Sequence, residues 1–461
     1  MSNDLQEKLD ELAAELQVTG VSAGVYLDGQ EIYGFHGVTS VENQLEVDEN
    51  TLFQFGSTGK TFTATAMMRL VDQGRVELDA PVRKYVPELK LKDEQVAEKV
   101  TILQLFNHTA GWQGDYFADT GNGDDALAKY VENLSMIDQI SPLGKTVSYN
   151  NAALSLAGRV IEKVTGLTYE QAIKELLIEP LGLNHTFLFP GEIMTRRFAV
   201  GHAQHQDGRV TVSRPWALPR SSTPGGGLVA NAADQLAWAR FHLGDGTGKN
   251  NDQLLSTELL KRMQTPTADM RGSALGDYVG ISWLLRDVGG KQIVAHGGTM
   301  NGQYSDFTMV PAHNFAVISM TNSGPNGPQL NKLLTKWALA HYLGAVDPEP
   351  ELLILSDTAL SAYTGRYETI ASICDITVVN GRLVAQADDK PGAMDILREA
   401  GIDQTEEEKE PPISLSLVAG DSDRYVISDG PSKGMKGYFT RGDDGNINGV
   451  HLGGRLAERV G

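Results

Sequence analysis

Strand-type sequence stands at both ends of the first 345 residues, with helical sequence between, and this arrangement constrains the fold more than any other feature. Near the start, GVSAGVYL and EIYGFHGV alternate around Asp28-Gly29, the pattern of a β-hairpin. From Val279 the pattern is strand-like again, in ISWLLRDV, QIVAHGG, YSDFTMVP and FAVISMTN. The two ends are expected to pair into one antiparallel sheet. Between them, apolar residues at helical spacing run from Ser57 to Gln73 and stop at Gly74. Leu103–Phe106, Ala152–Val164 and Ala232–Leu243 also read as helices, and a Pro/Gly segment, Ser222–Gly227, interrupts them. A helix from Gln329 to Leu343 closes the region. The reading is an α/β (α+β) domain over residues 1–345, an antiparallel sheet flanked by helices plus a helical subdomain, with a cleft between the layers.

At 346–351 the sequence VDPEPE marks a linker, taken as 346–356, and the chain then changes character. YTGRYET, ASICDITVVN, GRLVAQAD, PISLSLVAG, DRYVISDG, GYFTRG and VHLGGRLAERV are short strands with turns between them. Regular short strands of this kind predict a small all-β domain at 357–461, a barrel or a sandwich. Within it, DQTEEEKEPP reads as a solvated acidic loop. A chain of 461 residues is too long for one ordinary core, which agrees with two units.

The net charge of −20 argues against nucleic acid as a partner, because phosphate binding needs clustered Lys and Arg. Cys374 is the single cysteine, so there is no intrachain disulfide and no Cys-based zinc site, and it is expected to be a buried small hydrophobe. The opening MSNDLQEKLDELAAELQV is an acidic amphipathic helix without the basic start and apolar run of a signal peptide. No stretch is apolar enough to span a membrane. These features predict a cytoplasmic location and no membrane partner.

Chemistry concentrates in three places. In FQFGSTGKTFTA, Ser57 and Lys60 stand three apart at a helix start and share a face; no other serine has a lysine three residues on. A serine hydroxyl is a poor nucleophile until a base takes its proton. Lysine can be that base only when neutral, which near pH 7 needs its pKa lowered by roughly three units, about 4 kcal/mol. Burial and the positive end of a helix both act in that direction. The backbone N–H of Ser57 is one candidate oxyanion donor. Taken alone, the pair also fits a helix-cap serine with a surface lysine. STGKT further resembles the end of a phosphate loop, but Gln54 stands where that motif needs its first glycine.

The second place is VSYNNAALSLAGRVIEKVTG. Tyr149 can shuttle a proton to a leaving group, and Asn151 can bond the lysine and a substrate carbonyl. Ser148 and Asn150 are the alternative pair, one residue out of register, and an N-cap Asn with a packed Tyr is the plain structural reading. The third is QIVAHGGTMNGQYS, a strand ending in His296-Gly297-Gly298. Paired glycines, Gly298 among them, let a substrate backbone approach the strand edge. The N–H of Thr299 is a second oxyanion donor, and His296 is open to a role toward substrate or the Tyr149 hydroxyl.

In this order the three elements resemble the serine β-lactamase-like superfamily: penicillin-binding proteins, class C β-lactamases, D-aminopeptidases and related esterases. Ser57-Thr58-Gly59-Lys60 looks like the first motif, Tyr149-Asn150-Asn151 the second and His296-Gly297-Gly298 the third. TILQLFNHTAGW, in which His108 is expected to be structural, and EPLGLNHT look like connecting text. The resemblance covers about the first 345 residues and implies a β-lactamase-like fold. His296 stands where penicillin-directed members have the lysine of Lys-Thr-Gly, which removes a permanent cation. Tyr363-Thr364-Gly365-Arg366-Tyr367 with the closing GGRLAERV resembles a lipocalin-like barrel appended to some of these hydrolases. Asp444-Gly-Asn446-Ile-Asn448-Gly449 opens like a calcium loop, but position twelve is Arg455 where that loop needs Glu, so a turn is expected.

The resemblance implies a serine hydrolase working through a Ser57 acyl-enzyme. Ser57, Lys60 and Tyr149 are its expected catalytic residues, and Asn151, His296, Gly298 and Thr299 its expected substrate and oxyanion contacts. No metal or cofactor is implied. A small-peptide hydrolase of D-aminopeptidase type is the preferred activity, a carboxylesterase the alternative, and an acylated sensor or scaffold without turnover the reading from another class. The expected partner is a peptide or small-molecule substrate, and a homo-oligomer is compatible with the sequence.

Overall fold

The computed structural model describes residues 2–205, 207–370, 372–390, 411–420, 423–430 and 432–460. All but the last two residues of DQTEEEKEPP lie outside these.

The two ends of the first unit do pair. Gly20–Leu27 lies between Gln30–Gly37 and Phe315–Thr321, with Val21 opposite Thr321. The sheet continues through Gln303–Val310, Lys291–Met300, Leu284–Val288, Gly276–Val279 and Ala268–Ser273, every neighbour antiparallel. Asp28 and Gly29 both have positive φ (48° and 87°), as a tight two-residue hairpin requires.

The strand pattern begins before Val279, and the sheet has two more strands than the sequence announces. Their segment, ADMRGSALGDYV, is polar, and its pairing slips between Asp269 and Ser273, where Arg271 and Gly272 turn to positive φ. A kinked edge strand loses the alternation by which strands are recognised.

Both faces of the sheet are covered. Phe315 and Val317 join Leu5, Leu9, Leu330 and Leu334 from the helices Ser2–Leu16 and Asn326–Leu343 on one side. Ala316, Ile318 and Met320 join the larger core on the other. There the helix Ala232–Leu243 packs Leu236 against Gly24 and stacks Trp238 on Phe62, ring centroids 3.8 Å apart. Phe62 belongs to Lys60–Asp72, a helix buried on nearly every side at the centre of the helical layer. The Pro/Gly segment does more than interrupt: Arg220–Ser222 and Thr223–Gly226 form two short helical turns beside that helix.

Eight antiparallel strands from Gly365–Glu368 to Arg455–Val460 close the C-terminal barrel. Tyr367, Tyr425 and Phe439 help fill its interior, and Cys374 is buried there with its thiol pushed up to about 12, chiefly by burial. VHLGGRLAERV resolves into two strands, Ile447–Leu452 and Arg455–Val460, joined at Gly453-Gly454. The calcium-like stretch is a turn that runs into the first of them, with Asp444 accepting from the backbone N–H and side-chain amide of Asn446. Residues 351–353 are already held to the barrel: the Leu353 N–H donates to Leu417 and the Ala419 N–H to Glu351. No helix among the described residues is long and apolar enough to cross a membrane.

Candidate active site

Ser57 sits in a tight 3-10 turn, Gly56–Gly59, that runs directly into the helix beginning at Lys60. The turn lies on the edge of Lys291–Met300. Gly56 has φ +53°, and a Cβ there would stand 2.7 Å from the Thr299 nitrogen. A Cβ on Gly298 would stand only 1.9 Å from the Phe55 carbonyl oxygen. Strand and turn can touch because neither contact carries a side chain. Gly298→Ala is therefore expected to cost about 2 kcal/mol or more, since the clash is with backbone. Equilibrium urea unfolding reads that cost.

Lys60 is buried, and its Nζ has three partners: Ser57 Oγ at 3.1 Å, Asn151 Oδ1 at 2.6 Å and the Gly225 carbonyl at 2.7 Å. The last two can only accept. A neutral amine has two N–H groups and one lone pair. Two donations to Asn151 and Gly225 leave the lone pair for the Ser57 hydroxyl. Burial, followed by the positive charge of Arg455, lowers the Lys60 pKa to about 7, with Asp115 acting in the opposite sense.

Asn151 begins the helix Asn151–Thr165. Its Nδ2 donates to Asp115 Oδ1 at 2.7 Å, so its two ends connect Lys60 to a carboxylate. Asp115 also accepts from Arg455, from Nε at 2.9 Å and from Nη2 at 3.1 Å. Arg455 belongs to the barrel, on the strand after Gly453-Gly454. The tip of that hairpin reaches the second motif: Gly454 accepts from the Tyr149 N–H at 2.9 Å, and Ser148 Oγ accepts from the Leu456 N–H at 3.3 Å.

The Tyr149 phenol is buried beside Ser57. Burial raises its pKa above the ordinary value, although the Ser57 hydroxyl and Arg455 oppose this. Of the two groups on Ser57, the lysine is the one poised to lose its proton near neutrality, and the tyrosine keeps its own. The tyrosine ring lies 4.9 Å from Lys60 Nζ and 4.9 Å from the Arg455 guanidinium carbon. The alternative pair has other partners: Asn150 caps the helix by accepting from the Ala153 N–H and donates to Trp112, and Ser148 holds the barrel strand.

Ser57, Asn151, Thr299 and Arg455 line a cleft of about 330 Å³, with Tyr116 and Tyr304 among its aromatic walls. A family model described as Beta-lactamase matches residues 5–342. The chain belongs to the beta-lactamase family. Penicillin-binding protein 4 of Amycolatopsis lactamdurans is 34% identical over 322 residues, 69% of this chain and 84% of that one. The crystal structure of SurE superposes with a TM-score of 0.75 at 26% identity, covering 100% of this chain and 99% of that one. A structure of SurE with D-Leu superposes at 0.73 with 25% identity, over 100% and 99% of the two chains.

In this beta-lactamase family chain His296 is buried at the third motif. Its Nδ1 lies 2.6 Å from the Gly297 carbonyl, its own carbonyl accepts from Thr58, and Nε2 has no hydrogen-bond partner. Burial and the Lys60 charge lower its pKa to about 3, so it is neutral. The ring stands 6.2 Å from that of Tyr149, beside it but not bonded to it. His108 lies behind Tyr149 at 4.5 Å and accepts from the Asn150 N–H.

Three contributors escape the sequence reading. Gly225 offers only a carbonyl, inside a segment read as a break. Asp115 follows the Trp112 of the connecting text with nothing to single it out. Arg455 lies in the GGRLAERV stretch and is legible as an active-site group only once the barrel is seen docked.

Proposed function

We propose that this serine β-lactamase and penicillin-binding protein family hydrolase cleaves amide bonds in short peptides through an acyl-enzyme on Ser57. The observation that carries the reading is the placement of Lys60, whose Nζ stands 3.1 Å from Ser57 Oγ and is held by two groups that only accept; in its neutral form these leave the lone pair for the Ser57 hydroxyl. Lys60 takes the hydroxyl proton as Oγ attacks the substrate carbonyl. The oxyanion that forms is held by the N–H groups of Ser57 and Thr299. As the C–N bond breaks, the amine leaves with a proton delivered from Lys60 through Tyr149. Water then attacks the acyl ester, its proton returns along the same groups, and the acid departs with Ser57 restored.

Amide cleavage is favoured over ester cleavage because a departing amine needs a proton and a phenol held in its protonated form stands on Ser57. A neutral His296 at the third motif offers no fixed cation for a drug carboxylate, which argues against penicillins as the main substrate. The likeness to SurE, a structure of which holds D-Leu, supports substrates with a D-residue at the cleavage site.

A fluorophosphonate probe should label Ser57, and a panel of matched L- and D-peptide amides and short-chain esters should show turnover strongest on D-peptide amides. Turnover confined to esters would favour the carboxylesterase reading. A Ser57 adduct that persists in the intact-mass spectrum after peptide addition would favour a sensor. Tyr149→Phe is expected to lower amide turnover ~100-fold, and to lower turnover of an activated ester much less, because that leaving group needs no proton. Parallel kinetics on the two substrates measure the difference.

A further inference from the structure

Asn151 presents two ends of nearly equal shape, and only their partners decide which way the amide faces. An ionised carboxylate accepts hydrogen bonds and donates none. With Asp115 on one side, the Asn151 NH₂ must face Asp115, and the oxygen is turned toward Lys60. A reversed amide would point an N–H at the lysine and compete for its lone pair. An unpaired carboxylate in this place would orient the amide but also hold Lys60 protonated. Arg455 offsets that charge with two bonds to Asp115 and is itself anchored on the Gly453 carbonyl at 3.1 Å. The remaining titratable groups about Lys60 are Tyr149, His108 and His296, all in their neutral forms.

We propose that Asp115 and Arg455 are positioning residues: this ion pair between the first fold and the barrel fixes the Asn151 amide, and so holds Lys60 ready to take the Ser57 proton without adding net charge beside it. The proposal rests on Lys60 being the base. Because the barrel supplies Arg455, docking of the barrel becomes a condition for an active serine.

The test uses the full chain as wild type, Arg455→Met, Arg455→Lys, Asp115→Asn and the double variant Asp115→Asn/Arg455→Met. The rate of fluorophosphonate labelling of Ser57 is followed across pH. The pair keeps 36% of Arg455 and 28% of Asp115 side-chain surface in solvent, so solvent screens part of each charge. Arg455→Met should move the acid limb of the profile up by about one pH unit, since it exposes Lys60 to a bare carboxylate. Arg455→Lys should keep the limb near that of wild type. Asp115→Asn should move the limb down and lower the plateau ~10-fold, as Asn151 loses its orientation. In the double variant the limb should return toward wild type while the plateau stays low.

A limb midpoint does not depend on what fraction of a preparation is folded, so a partly unfolded variant still reports. Midpoints of Arg455→Met and Asp115→Asn that coincide with wild type would overturn the proposal and leave the pair as a docking clamp. Absence of Ser57 labelling in wild type at every pH would instead overturn the nucleophile and base assignment beneath it.

Discussion

Replacing Ser57 by alanine is expected to abolish fluorophosphonate labelling and to lower peptide turnover on the order of a millionfold, the loss seen when an activated serine is removed from other hydrolases. The size follows from the arrangement around the hydroxyl. Lys60 stands 3.1 Å from that oxygen, Asn151 and the Gly225 carbonyl hold Lys60 there, and the arrangement is useful only while the oxygen is present. Two other serines line the cleft. Ser155 spends its hydroxyl on the Ser221 carbonyl, and neither Ser155 nor Ser222 has a lysine three residues on. Labelling that survives on Ser155 or Ser222, mapped by peptide mass spectrometry, would displace Ser57 from its place. The variant should fold as well as wild type, because Lys60 keeps two of its three partners.

Lys60→Met is expected to cost ~10⁴-fold in kcat/KM, the upper range for losing a positioned base, and also to remove the pH dependence. In wild type the base form is present above a pKa of about 7, so kcat/KM should fall tenfold per pH unit below that value. In the variant this limb should be absent. The same residue leaves a signature on stability. Unfolded, its pKa returns to about 10.5, so between pH 7 and 10.5 the unfolded chain binds a proton that the folded protein does not. Stability of wild type relative to Lys60→Met should therefore rise with pH through this window, by at most roughly 5 kcal/mol. Urea unfolding of both proteins at pH 6, 8 and 10 measures it. A constant difference would mean that Lys60 is protonated in the folded protein at neutral pH.

The fold was legible wherever periodicity was undisturbed. The hairpin at Asp28-Gly29, the helix Ala232–Leu243 and the barrel strands follow their patterns closely. It failed at Ala268–Ser273 and Gly276–Val279, where a bulge and a positive-φ pair replace alternation. In the site, the first two motifs name Ser57, Lys60, Tyr149 and Asn151, and Lys60 bonds Ser57 and Asn151 with the Tyr149 ring 4.9 Å from its Nζ. His296 was legible in position but not in partners: its Nδ1 is turned onto its own strand rather than to Tyr149. Gly225 and Asp115 act through a carbonyl and a loop carboxylate, which have no spacing to read. Arg455 lies 395 positions beyond Lys60 in the chain, and only the docking of two folds brings them together.

The hairpin at Gly453-Gly454 ties the two folds together physically. On the proposal above, a substitution of Arg455 is felt at Lys60, 395 positions away in the chain. Shuffling barrels between relatives would have to carry the residue at 455 and its carboxylate partner at 115 as one cassette. A foreign barrel without the arginine leaves an uncompensated carboxylate behind Asn151, and the chimera would be well folded yet acylate slowly at neutral pH. The docking contacts of Gly454 with Tyr149 and of Leu456 with Ser148 would have to travel with the cassette.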